Sequence, residues 1–303
     1  MKTSIQKNLA PLGTMLAGTL LLLASLQPQP ALAGRHDRDY KLQETEIIKN
    51  SYPVAGALDQ RSIEVDNVFG SVEVVGTSGD QIQLVVNKTI YAESAEKVVL
   101  AKKEVTLDVK QDGDILKFFV NGPFRCNCDG GCNNWGREPG YSVKMDFQLQ
   151  VPNRMKFKLK TVNDGNIKVQ GVAGDFQVRN VNGSISMSDV AGSGSAVTVN
   201  GPVTVRFRSN PKEDSEFKSI NGNVELHFAK DLSADFRFKT FNGGVYTDFP
   251  MTGLPQKQPA AEKKNGRFVY RSDRFTGGRV GSGGPEIKIE NLNGDIKVLE
   301  RHV

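Results

Sequence analysis

Cys126, Cys128 and Cys132, in the run Cys-Asn-Cys-Asp-Gly-Gly-Cys, are the only cysteines of the chain and lie in a loop beside Trp135. Three thiols so close can form one disulfide, leave a thiol for another chain, or hold a metal with a distant fourth ligand. An oxidising compartment would favour a disulfide, as Cys126–Cys132 or Cys128–Cys132, because Cys126–Cys128 closes a strained ring. The spacing is not a zinc pattern, and His36, His227 and His302 are scattered. No cofactor is implied.

Acid and nucleophile chemistry has little to build on. Glycan-cleaving β-helices set paired carboxylates on one outer face, whereas Asp164, Asp189, Asp231 and Asp248 fall at different positions of the repeat described below. No Ser/His/Asp grouping emerges. Gly277-Gly278-Arg-Val-Gly281-Ser-Gly283-Gly284 lacks the aspartate of a calcium-binding glycine repeat, and no Gly-Lys-Ser/Thr follows to make a phosphate loop. The expectation is a protein that is not an enzyme.

The elements that would position any site come from a repeated phrase between 157 and 249, Φ-x-Φ-x-x-Φ-Asn-Gly-x-Φ-x-Φ with Φ apolar. Its Asn-Gly pairs fall at 182/183, 200/201, 221/222 and 242/243, with Asn163-Asp164-Gly165 before and Asn293-Gly294 after. Alternating apolar and polar residues on both sides of each pair mark strands with one buried face. Between 165 and 201 glycine recurs every nine residues, and Val-Ala-Gly at 172–174 and 190–192 forms a second kind of corner. A hairpin meander has no reason to alternate two corner chemistries; a two-sided coil puts each in its own row. The fold expected is therefore all-β, a β-solenoid or β-helix of stacked 18–21-residue coils. An antiparallel β-sandwich is the alternative.

If coils stack, the position four before each Asn-Gly glycine lines up at about 4.8 Å per step. It holds Arg179, Val197, Lys218 and Lys239, with Lys160 equivalent once Asp164 is allowed for. Such a cationic stripe could track an anionic envelope polymer. It could equally be a solvated face neutralised by Glu216, Glu225 and Asp235.

Residues 1–33 read as a secretory signal: Lys2 and Lys7, an apolar run from Leu12 to Leu26, then Ala31-x-Ala33. Cleavage would leave 303 − 33 = 270 residues, with 39 − 2 = 37 basic against 34 acidic side chains, a formal +3. That balance implies no polyanion, and export disfavours nucleic acid. Residues 34–60 read as an extended lead-in and 61–303 as one domain with an insert at 84–150 and a long loop at 250–284. The insert holds a helix over 92–104, capped by Ser94, a hairpin of Val105–Val109 with Ile115–Val120, and a strand over Tyr141–Val151. Phe69 stands in place of asparagine in an early copy of the phrase. The last copy closes the chain before Glu300-Arg301-His302-Val303, whose charges suit the exposed end of a stack.

The export signal, the helix-and-hairpin insert, the Val151-Pro152 strand end, the Asn-Gly phrases and the closing Gly281-x-Gly-Gly-Pro-Glu-Ile-Lys-Ile-Glu-Asn-Leu-Asn-Gly-Asp-Ile together resemble the putative-adhesin domain family of exported bacterial proteins, over roughly 60–303. The resemblance implies a β-helical domain at the cell envelope, periplasmic or at the surface. Its partner would be an envelope polysaccharide or an envelope protein. It supplies no catalytic residues, and the cysteine segment 124–140 is outside its pattern. The reading is thus an adhesin-like binding or structural module, with a polysaccharide-active enzyme on a β-helix or an envelope-stress sensor as alternatives.

Overall fold

The structure, a computed structural model, describes residues 40–125, 139–255, 260–264, 267–271 and 275–301. The proposed signal peptide, the three cysteines and Trp135 lie outside them.

Strands β1 (Leu42–Pro53), β2 (Ser62–Asp66), β3 (Val72–Thr77) and β4 (Gln81–Ala92) lead to the helix α1 (Ala95–Glu104). They are followed by β5 (Thr106–Asp112), β6 (Ile115–Asn121) and β7 (Tyr141–Pro152). The repeat contributes β8 (Lys156–Lys160), β9 (Ile167–Gln170), β10 (Phe176–Arg179), β11 (Ile185–Val190) and β12 (Gly194–Asn200). It continues with β13 (Val203–Phe207), β14 (Ser215–Asn221), β15 (Val224–Phe228), β16 (Ala234–Lys239) and β17 (Val245–Thr247). Then come β18 (Thr252–Leu254), β19 (Ala260–Lys264), β20 (Arg267–Arg271), β21 (Thr276–Val280), β22 (Glu286–Asn293) and β23 (Ile296–Glu300).

Two large mixed sheets result. The first runs β1-β4-β7-β3-β9-β11-β13-β15-β23-β17 and the second β18-β21-β16-β22-β14-β12-β10-β8-β2-β6-β5; β19 and β20 form a separate hairpin. Successive strands of the repeat alternate between the sheets, and from β10 to β15 each pairs in parallel with the strand two before it: Phe176 lies beside Phe157 and Gly194, Ile185 beside Ile167 and Val203. The layers are sandwich-like, but their central strands are parallel.

Both inner faces fill one core. In β10, Phe176 and Val178 are buried and Arg179 is exposed; β11 buries Ile185 and Met187. Phe207 meets Phe217 edge-on across the sheets at 6.1 Å, then stacks on Phe228 at 5.0 Å. Such ring pairs add about 0.5–1.5 kcal/mol beyond the area they bury. Gly194 and Ala196, a weak copy of the phrase, leave space in β12, and the Phe176 and Phe217 rings approach to 6.3 Å across it.

Glycine lets the corners stack. A Cβ on Gly183 would sit 2.2 Å from the Gly165 carbonyl oxygen, and one on Gly201, at φ +149°, 2.5 Å from that of Gly183. Gly192 approaches Gly174 likewise, so the second corner type forms its own row. Inside the Asn-Gly corners runs a polar row absent from the sequence reading. Thr161, Asn180, Thr198, Ser219 and Asn291 are buried and donate side-chain hydrogen bonds to the carbonyls of Gly70, Gly165, Gly183, Gly201 and Gly222 in the preceding coil. Turning the backbone at a corner points these carbonyls inward, where a missing partner would be costly.

One expectation is sharpened and two are corrected. The lead-in is largely a strand: β1 pairs antiparallel with β4 along all twelve of its residues, and its half-exposed faces hide any periodicity. The stretch 250–284 is not simply a loop, because β21 pairs with β16 and β18 with β21. Glycines disguised β21: Gly277 makes room for Arg237 and Leu254, and Gly278 for Met251. The last copy does not close the stack. β22 lies between β14 and β16, and β23 between β15 and β17, so the copy at 236–247 forms the end. Ile287, Ile289, Ile296 and Val298 are all fully buried, whereas Val245 of the end copy is 41% exposed. The copy with the complete apolar face takes the interior place.

Within 84–150 a helix, a hairpin and a strand form, and β6 and β7 join β2 and β3 in the main sheets. Ser94 caps α1 by accepting from the Lys97 N–H, and β5 pairs with β6 as a hairpin. Lys88, buried beneath α1, donates to the Val105 carbonyl at 2.7 Å, closing the helix C-terminus.

The corner packing is testable by chemical denaturation. Gly183→Ala should cost about 3 kcal/mol, in the range of backbone overpacking. Gly253→Ala, where an added Cβ meets nothing within 4 Å, should stay within about 0.5 kcal/mol of the parent. Equal effects would contradict the stacked corners.

Candidate functional site

Lys160, Arg179, Lys218 and Lys239 all project from the outer face of the second sheet in one column. Lys160 is beside Arg179, Arg179 beside Val197, and Val197 beside Lys218. The strand order adds two acids to that column. β22 puts Glu290 between Lys218 and Lys239, whose Nζ atoms lie 3.2 and 3.0 Å from its carboxylate. β2 puts Asp66 beside Lys160 at 3.5 Å, and the Arg125 guanidinium, 3.9 Å from the centre of the Phe119 ring, also bonds Asp66. Arg179 is exposed and makes no ion pair among the described residues. Of the acids first considered as neutralising partners, Glu216 meets Lys288, Asp235 meets Arg279, and Glu225 faces Arg206 and His227 on the other sheet.

Burial works against the Glu290 charge, but the Lys239 and Lys218 ammonium groups outweigh it and hold its carboxyl below its ordinary value. The acids weighed for catalysis have local roles. Asp164 adopts positive φ at a corner and Asp189 at a register shift inside β11, Asp189 meets Arg208, Asp231 accepts from Asn210, and Asp248 accepts from the Glu300 N–H. Among the described residues no three His, Cys, Asp or Glu side chains gather as a metal site. Two shallow depressions of ≈ 150 and ≈ 270 Å³, the larger lined by Tyr52, Ile82, Arg61 and Met155, fall short of the roughly 300–1,000 Å³ usual for ligand pockets.

The asparagine corners form one continuous ladder. Asn182 donates to Asn163, Asn200 to Asn182, Asn221 to Asn200, Asn293 to Asn221 and Asn242 to Asn293, amide to amide, at 2.6–2.8 Å. Phe69 bridges to Asn163 at the far end.

Where the ladder ends, the surface changes character. Phe241 is 77%, Tyr246 55%, Leu292 45% and Val245 41% exposed. Val245 and Tyr246 lie in β17, a three-residue edge of the first sheet with no charge in it, and Phe241 and Leu292 stand just before Asn242 and Asn293 of the ladder. The pairing of β17 with β23 engages the Gly244 carbonyl and the Asp248 N–H, so the backbone groups of Val245 and Thr247 face away from the sheet. The other edges are blunted: β1 carries Glu44, Glu46, Lys49 and a final Pro53, β5 carries Asp108, Lys110 and Asp112, and Pro255 follows β18. Sequence reasoning missed this site. Its signal was the end copy itself, where Gly243-Gly244 is followed by a single inward apolar residue, Val245, and Phe241 takes a position held elsewhere by Val, Ile or Leu.

No family model matches the chain, and no curated protein matches it significantly. Solved structures similar to it include a putative cell adhesion protein from Clostridium sporogenes, 8% identical, covering 84% of this chain and 100% of that one, TM-score 0.42. A putative adhesin from Bacteroides fragilis is 10% identical and covers 84% and 97%, TM-score 0.35. A putative lipid binding protein from Parabacteroides distasonis is 8% identical and covers 84% and 97%, TM-score 0.26. No helix of the described residues is long and apolar enough to cross a membrane.

Because the Glu290 carboxyl is depressed, its contribution is present above its ordinary value of 4.5 and is lost as pH falls through the folded value. Glu290→Gln should therefore cost up to about 1 kcal/mol at neutral pH, solvent screening limiting the loss. The gap to the parent should close in acid. A deficit that persists unchanged at low pH would contradict the ion-pair account.

Proposed function

We propose that this chain is an exported, non-catalytic binding or structural module of the bacterial envelope. In this reading it is a short two-sided β-solenoid whose contact surface is the open end of the stack. The observation that carries it is the conjunction of a short, uncharged strand edge at β17, with Val245 and Tyr246 exposed on it, and the exposed Phe241 and Leu292 near the last asparagine corner. Such an edge suits an extended segment of an envelope protein, which would bond to Val245 and Thr247 and cover Phe241 and Tyr246. Export is supported by the basic, apolar and Ala-x-Ala order of residues 1–33.

Tracking of an anionic polymer along Lys160, Arg179, Lys218 and Lys239 is less favoured, since Asp66 and Glu290 already answer three of the four charges. For the polysaccharide-active enzyme no paired outer carboxylates are available among Asp164, Asp189, Asp231 and Asp248. The stress-sensor alternative shares the protein-binding surface proposed here.

The test is photo-crosslinking from position 246 in native envelopes, followed by binding measurements with the captured protein. A Phe241→Ser/Tyr246→Ser double variant should fold normally and bind at least about a hundredfold more weakly, as the loss of two aromatic anchors implies. Binding unchanged by the double variant would refute the end-on surface. Retention of acidic glycans that is abolished by Lys218→Glu, or cleavage of them, would refute the protein-partner reading.

A further inference from the structure

We infer that Asn242 is a site of spontaneous covalent modification, by deamidation to aspartate and isoaspartate, from which the rest of the ladder is shielded. The chemistry is general to Asn-Gly. The glycine nitrogen attacks the asparagine Cγ, the Cγ–Nδ2 bond breaks, and ammonia leaves with the proton given up by the glycine N–H. The resulting succinimide is opened by water at either carbonyl, so the net change is amide plus water to carboxylate plus ammonium. It needs a glycine nitrogen free to move and a carboxamide free to rotate toward it.

Inside the ladder both freedoms are removed. The N–H groups of Gly183, Gly201, Gly222 and Gly294 donate to the backbone carbonyls of Asn200, Asn221, Asn293 and Asn242 in the next coil, at 2.8–2.9 Å. The carboxamides of Asn182, Asn200, Asn221 and Asn293 are each held twice, Nδ2 donating to one neighbour and Oδ1 accepting from the other. Asn242–Gly243 is the end rung and has no next coil. The Gly243 N–H has no backbone acceptor among the described residues, and both residues are exposed, whereas the other four glycines are half-buried. The Asn242 carboxamide is held at one end only, through Nδ2 to Asn293.

Asn121–Gly122, at the end of β6, is restrained in another way. Its glycine nitrogen donates to the Asn121 Oδ1 at 2.9 Å while the Asn121 Nδ2 donates to the Asp108 carboxylate at 3.2 Å, so that carboxamide is held at both ends. A seventh pair, Asn265–Gly266, lies outside the described residues.

The products would alter the open end. A carboxylate at 242 cannot donate to Asn293 and sets negative charge against its Oδ1. The isoaspartyl form adds a carbon to the main chain just before the register that puts Val245 beside Ile296. Modification thus loosens the end coil while leaving the interior of the stack intact.

The experiment is mass-spectrometric peptide mapping of the full chain, incubated folded in mildly alkaline buffer at physiological temperature and sampled over time. Asn242 should convert first among the pairs of the described residues. Asn182, Asn200, Asn221 and Asn293 should lag by roughly a hundredfold, the factor imposed by a local opening of about 2.7 kcal/mol. In denaturant the pairs should convert at similar rates. Equal rates along the folded ladder, an unreactive Asn242, or an Asn242 that keeps its lead in denaturant would each overturn the inference.

Discussion

Everything in this fold depends on how closely one corner can approach the next. The backbone of each Asn-Gly corner lies so near its neighbour that a single methyl group on the glycine would fall well inside the contact distance of a carbonyl oxygen. Only at that separation can the side-chain amides of successive asparagines reach one another. The inner row of Thr, Asn and Ser can then satisfy the inward carbonyls. The apolar residues on either side of the corner follow as a consequence, since parallel strands at this spacing place like residues above like and give the continuous aromatic and aliphatic core.

The same stacking governs the charges. Equivalent positions become neighbours, so like charges would repel unless the sequence intervenes. It does so through strands distant along the chain: β2 supplies Asp66 and β22 supplies Glu290 to a column otherwise rich in lysine and arginine. A surface of this type is closer to a neutralised lattice than to a polyanion track. The apolar end is the contrast. There the stack stops without the charged or proline-bearing edges found elsewhere, and the surface proposed to meet a partner coincides with the least restrained coil.

What could be read from the sequence was what is local. The corners, the alternation, the Ser94-capped helix and the β5–β6 hairpin are each set by residues within a few positions of one another. The order of the coils is not. Any copy of the phrase offers nearly the same edge to any other, so nothing nearby says that Asn293 belongs next to Asn221. That choice rests on which copy tolerates exposure, and the difference is as small as Ile296 and Val298 against Val245 and Thr247. The role of Glu290 was hidden for the same reason, because it enters the lysine column only once β22 is placed. The buried polar row went unseen for another reason: Asn180, Thr198 and Ser219 sit where turn-forming residues are common, and their inward direction appears only after the sheet is built. β1 escaped because its inner face is only half-buried, so its alternation carries little apolar contrast.

The placement of the last copy is the most specific consequence of the account, and the asparagine amides report it directly. Through-space proton contacts between side-chain amides, measured by NMR on the folded chain, should link Asn293 to both Asn221 and Asn242, and should not link Asn221 to Asn242. A direct Asn221–Asn242 contact, with Asn293 bound to only one of them or to neither, would show that the coils stack in sequence order and would contradict the architecture described.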